Sequence, residues 1–158
     1  MADVNFENWQ KRSAANQKKY AQQLQKVNKN TVLKQLPTLH KEAFEKVDCL
    51  QCAQCCKTYS PRFKMPDIKR ISKYVGMKES QFIQQYLRMD EDGDYVVQST
   101  PCAFLQENNE CSIYDVRPSD CARFPYTDED VLFKRRNITL KNSEFCPAVF
   151  YVLENLFP

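Results

Sequence analysis

Cys49-Leu50-Gln51-Cys52-Ala53-Gln54-Cys55-Cys56 is the stretch on which the reading of this chain turns: two overlapping Cys-x-x-Cys steps, then a fourth cysteine at once. A Cys-x-x-Cys step lets two thiolates converge on one ion from a tight turn whose backbone N–H groups also donate to the sulfurs. The overlap puts three sulfurs within reach of one site. Adjacent side chains diverge in helix and strand alike, so one of Cys55 and Cys56 is expected to serve a second site or to bridge.

Outward from this motif, Cys102, Cys111, Cys121 and Cys146 complete a set of eight cysteines in 158 residues. Their wide spacing means that the fold, not a local loop, must gather them. Eight thiolates suit two four-sulfur sites. The start of the chain, Met1 to Gln10, has no basic segment followed by an apolar run, and no stretch of about 18 apolar residues occurs. That predicts a cytoplasmic protein without a membrane span. In a reducing cytosol clustered cysteines bind metal or do redox chemistry more often than they form disulfides.

An all-thiolate set selects zinc, Cu(I) or an iron–sulfur cluster over magnesium, calcium and manganese. Between zinc and an iron–sulfur centre the sequence does not decide, with zinc slightly preferred. The triple Cys-x-x-Cys-x-x-Cys and Cys146-Pro147 resemble bacterial ferredoxin ligation, but the fourth cysteine at that spacing is absent. The single histidine, His40, lies far from the motif, which removes the histidine-rich zinc sets of hydrolytic enzymes. His40 is expected on the surface or packed in the arm. Arg117 and Arg123 flank Cys121 and are candidates to donate to the sulfurs of an anionic thiolate centre from outside the ligand set.

Charge divides the chain. Residues 1–48 carry 9 Lys+Arg against 5 Asp+Glu, and residues 49–158 carry 14 against 15. The basic excess and the absence of cysteine mark 1–48 as a helical arm, and 49–158 as the metal-binding domain. In the arm, Phe6, Trp9, Tyr20, Leu24 and Val27 fall near one helical stripe. The expectation is a helix over about 6–29, ended by Asn28, Asn30 and Thr31, then a second helix after Pro37 capped by Thr38. The arm either packs as a helical hairpin or reaches a protein partner. Its basic residues are diluted by Gln and Asn without interleaved aromatics, so nucleic acid is not expected.

Past the motif, Pro66, Ile68, Ile71, Tyr74 and Val75 predict a helix with a proline in its first turn and Gly76 just past its end. Phe82, Ile83, Tyr86 and Leu87 form a second apolar face. Asp90-Glu91-Asp92-Gly93-Asp94 lacks the glycine and glutamate positions of a calcium loop and reads as a solvated turn into Tyr95-Val96-Val97. Ala103-Phe104-Leu105 and Ser112-Ile113-Tyr114 are expected to pair as a short hairpin. A last helix starts at Pro147. The fold expected is mainly α, or α+β on a small scale: a metal-nucleated helical domain with one short β-hairpin.

The quoted motif, Pro101-Cys102-Ala103-Phe104-Leu105, Cys111-Ser112-Ile113-Tyr114-Asp115-Val116-Arg117-Pro118, Cys121-Ala122-Arg123-Phe124-Pro125 and Cys146-Pro147 together resemble the YkgJ-type cysteine-cluster family, described as zinc- or iron-chelating. The resemblance spans about 49–147. It implies metal binding by Cys49, Cys52, Cys55, Cys56, Cys102, Cys111, Cys121 and Cys146 in a bacterial cytoplasm, without implying a reaction. Its better-known relatives, the flagellin lysine N-methylases, are longer, and two glycines leave little scope for a Gly-rich cofactor loop here. The leading expectation is therefore a metal-binding protein. The alternatives are a redox or iron-dependent enzyme acting on a peptide or protein side chain, and a metal-dependent adaptor using the arm.

Overall fold

The computed structural model describes residues 4–158, so the first three residues of the arm lie outside the described residues. In chain order the helices are α1 (Trp9–Lys26), α2 (Lys29–Lys46), α3 (Cys49–Cys52), α4 (Gln54–Thr58), α5 (Met65–Val75) and α6 (Glu79–Tyr86). Strands β1 (Leu87–Met89) and β2 (Tyr95–Val97) follow, then a 3₁₀ turn at Tyr114–Val116. The chain finishes with α7 (Ser119–Arg123), α8 (Val131–Lys134), α9 (Arg136–Asn142) and α10 (Pro147–Leu156). The fold is mainly α with a small β component. No described helix is long and apolar enough to cross a membrane. Two compact units result, one of Met1–Asp48 with Pro125–Pro158, the other of Cys49–Phe124.

In the first unit α10 is the element that the others cover. Ala148 to Leu153 are all buried, as an all-round apolar helix requires. Pro147 opens α10 at its first position, where the missing N–H costs nothing. Against it, α2 presents Val32, Leu36, Leu39 and Ala43, a buried stripe at spacings of 4, 3 and 4 residues. That stripe explains a departure from the sequence reading. The chain breaks at Val27 and Asn28, with Asn28 Oδ1 accepting the Thr31 N–H at 3.1 Å, and α2 then runs straight through Pro37. Thr38 is therefore mid-helix. A proline inside a helix costs about 3 kcal/mol, which burial of Val32, Leu36 and Leu39 at about 1.5 kcal/mol or more each offsets.

Polar groups in this unit are satisfied locally. Glu154 on α10 accepts from the buried Tyr20 hydroxyl, from Asn16 Nδ2 at 3.1 Å and from Arg12 Nη2 at 2.9 Å. Buried Ser13 Oγ donates to Ser143 O at 2.7 Å. His40 packs at 4.9 Å on the Phe44 ring, with Nδ1 2.7 Å from Thr127 Oγ1.

The second unit is built on α5, α6 and the β1–β2 ribbon. Its core joins Phe63, Ile68, Ile71, Phe82, Leu87, Val97, Phe104 and Ile113. As expected, α5 ends at Gly76, which adopts φ +75, and the Met77 N–H returns to Ser72 O at 2.9 Å. The regular ladder is antiparallel, Leu87 opposite Val97 and Met89 opposite Tyr95. Asp90 closes the intervening turn by accepting the Asp92 and Asp94 N–H groups at 3.0 and 2.9 Å. The pairing expected between 103–105 and 112–114 reduces to one isolated bridge, Leu105 with Cys111. Two cross-strand bonds make that bridge, Ser112 N–H to Phe104 O and Gln106 N–H to Glu110 O, both at 2.8 Å, while the Leu105 N–H closes a turn on Cys102 O at 3.0 Å.

Candidate metal centre

The Cys-x-x-Cys-x-x-Cys-Cys motif folds as two short helical segments hinged at one residue. Cys49 and Cys52 open and close the single turn α3, whose last N–H, that of Ala53, returns to Cys49 O at 2.9 Å. Residues three apart share a helix face, so this turn sets both thiols on one side. Ala53 then takes a left-handed conformation, φ 44, and starts α4, which carries Cys55 and Cys56. The reversal is bought from an alanine, at a cost of roughly 1–2 kcal/mol over the right-handed form.

Two hydrogen bonds fasten this motif to the loop that carries the next cysteines. Cys102 N–H donates to Cys56 O at 2.8 Å, and Asn109 Nδ2 donates to Leu50 O at 2.7 Å. Cys121 joins from the middle of α7. Cys56, Cys102, Cys111 and Cys121 thus come from three separated segments into one electrostatic neighbourhood. Burial pushes the Cys121 thiol well above its usual range, and Cys102, Cys56, Cys111 and Asp120 add to the rise. Cys102 is raised by burial and by Cys56 and Cys111, against hydrogen bonds from the Phe104 and Leu105 N–H groups. Cys111 is raised by burial and Cys56, against the Ile113 N–H and the Arg117 charge. Cys56 goes the other way, down to about 7, because the Cys55 side chain hydrogen-bonds to it and outweighs burial.

Backbone N–H groups two or three residues beyond a cysteine, aimed at its sulfur, favour the thiolate and are a feature of sulfur-ligated metal sites. All eight cysteines are free thiols. The donor set therefore fits a thiophilic ion in its chemistry: sulfur only, reduced, with N–H groups supporting the thiolate form. Among the described residues no three His, Cys, Asp or Glu side chains stand in a ligating array, so holding one ion calls for the thiols to turn in upon it.

The structure distributes the sequence-predicted residues unevenly. Cys49 is exposed at the start of α3, while Cys52 and Cys55 are half-buried. Cys146 belongs to the other unit, where it precedes α10, packs on that unit's core and donates its N–H to Asn142 O at 2.8 Å. Arg117 stacks 4.1 Å over the Tyr114 ring and donates to Tyr114 O at 2.8 Å, and its charge reaches Cys111. Arg123 is exposed at the last position of α7.

Five residues around the cluster escaped the sequence reading. Asp120, 2% exposed, precedes Cys121 and is paired with Arg62 Nε at 2.9 Å and with Lys64 Nζ at 3.7 Å. Asp67, equally buried, accepts from Arg70 Nη2 at 2.8 Å. An acidic residue embedded in an amphipathic pattern carries no local mark of burial. The one available signal was Asp67 at the third position of a helix opened by proline, where a carboxylate caps the first turn.

A family model named CxxCxxCC, described as "Putative zinc- or iron-chelating domain", matches residues 48–147. No curated protein and no solved structure matches the chain.

Proposed function

From the premise that this chain belongs to the CxxCxxCC family of zinc- or iron-chelating domains, we propose that it holds a zinc or iron ion through cysteines of the Cys49–Phe124 unit. Zinc is put first. The observation that carries the reading is the family match over residues 48–147, supported by the 2.8 Å hydrogen bond from Cys102 N–H to Cys56 O that ties the motif to the loop bearing Cys102 and Cys111. Cys49, Cys52 and Cys55 supply further sulfur from the same unit. Bound metal would keep the thiols as thiolates and add folding free energy, about 10 kcal/mol or more for a structural zinc site. Residues 99–113 have no helix or ladder of their own, and metal–sulfur bonds would stand in for them.

The test is elemental analysis of the purified full chain beside its absorption spectrum. The expected result is stoichiometric zinc in colourless protein, lost in Cys102→Ser and Cys121→Ser. Broad absorption near about 400 nm would assign the site to iron–sulfur instead. Metal content unchanged in both variants, or absent from the native chain, would overturn the proposal.

A further inference from the structure

The hydrogen bonds of Asp67 and Arg70 converge on a single segment, Val116 to Ser119, that leads into the helix bearing Cys121. Asp67 Oδ2 accepts the Lys64 N–H at 3.0 Å, capping its own helix α5. Its Oδ1 accepts the N–H of Ser119, first residue of α7, at 3.1 Å, and Ser119 Oγ lies 3.4 Å from Oδ2. One carboxylate therefore closes the N-terminal turns of two helices. Arg70, one turn along α5, donates through Nη2 to Asp67 at 2.8 Å and to Arg117 O at 2.9 Å. Its Nε donates to Val116 O at 3.2 Å.

A buried carboxylate with one cation and two backbone donors is expensive to remove and narrow in the geometry it accepts. Here it spans 52 residues of sequence. The segment it grips carries Arg117, whose charge acts on Cys111, and is followed two residues after Ser119 by Cys121. A rigid α5 thus sets where both groups stand relative to Cys102 and Cys111, whose loop packs on the same core through Phe104 and Ile113. We infer that Asp67 and Arg70 are positioning residues of the cysteine cluster, holding Cys121 and Arg117 in place for metal rather than touching it. This rests on the metal-binding reading above and deepens it.

The experiment uses the full chain with Co2+ as the spectroscopic ion, reading thiolate-to-cobalt charge transfer, the visible ligand-field bands, and affinity by chelator competition. Asp67→Asn and Arg70→Lys are expected to keep native far-ultraviolet circular dichroism yet bind Co2+ about 10–100-fold more weakly, with displaced ligand-field bands. Lys69→Ala, exposed on the same helix, should match the native chain. Lower melting temperature with native affinity and native bands in both variants would reduce the pair to a structural role and overturn the inference. If Asp67→Asn does not fold, Arg70→Lys decides, since that side chain is 42% exposed and its replacement leaves the charge in place. Absence of thiolate bands in the native chain would sink the metal reading and this inference with it, whereas native bands unchanged in the variants would sink the inference alone.

Discussion

Replacing Phe82 by alanine tests the packing on which the cysteine loop stands. Phe82 is fully buried, with Phe63 at 6.3 Å, Tyr86 at 5.2 Å and Phe104 at 6.0 Å between ring centroids. Phenylalanine to alanine in a core costs about 3–5 kcal/mol, and three lost ring neighbours place this site near 4 kcal/mol. For a chain of this length a kilocalorie shifts the melting point by about 2–4 °C, so a fall of about 8–16 °C is expected. The effect reaches the site directly, because Phe104 packs on Phe82 and its N–H donates to the Cys102 sulfur. Thermal and urea unfolding should be followed with a strong chelator present, since metal bound only by the native state would mask part of the loss. A loss under about 1 kcal/mol would refute the reasoning, showing that Phe82 is not the centre of this core.

Two further outcomes follow from the same structure. Burial pushes the Asp67 carboxyl up, but the Arg70 guanidinium and the Lys64 and Ser119 N–H groups outweigh it and hold the carboxyl below its usual value. Stability from a lowered carboxyl is fully present above its unfolded value, about 3.9, and is lost as pH falls through the folded one; the gap in urea midpoint between the native chain and Asp67→Asn should be constant near neutrality and narrow below about pH 4. Gly76→Ala should lower the melting temperature by a few degrees through backbone strain alone, about 1–2 kcal/mol, because φ is +75 and an added Cβ meets nothing within 4 Å; an unchanged melting temperature would count against the left-handed cap.

What could be read from the residues was whatever rested on local chemistry. The proline at the head of α10, the glycine past α5 and the Asp90 turn each state their backbone geometry in one or two side chains, and each stands where expected. The Cys-x-x-Cys-x-x-Cys-Cys motif marked the family for the same reason. Pro37 misled because its local cost is visible in sequence while its compensation, the burial of α2 along α10, is not. The pairing read between 103–105 and 112–114 is realised only as the single Leu105–Cys111 bridge, because apolar triplets around a polar turn look alike whether all their N–H groups pair across a ladder or some turn toward sulfur. The pairing of Arg62 with Asp120 and the reach of Asp67 and Arg70 to residues 116–119 were invisible because they exist only when residues about 50 apart meet, although the local cap by Asp67 left a signal.

The most direct measurement of the central claim is X-ray absorption at the metal edge of the purified native chain, which counts and identifies the atoms bound to the ion. The expected result is a shell of sulfur alone, near four in number, at about 2.3 Å for zinc. A shell dominated by nitrogen or oxygen would contradict it.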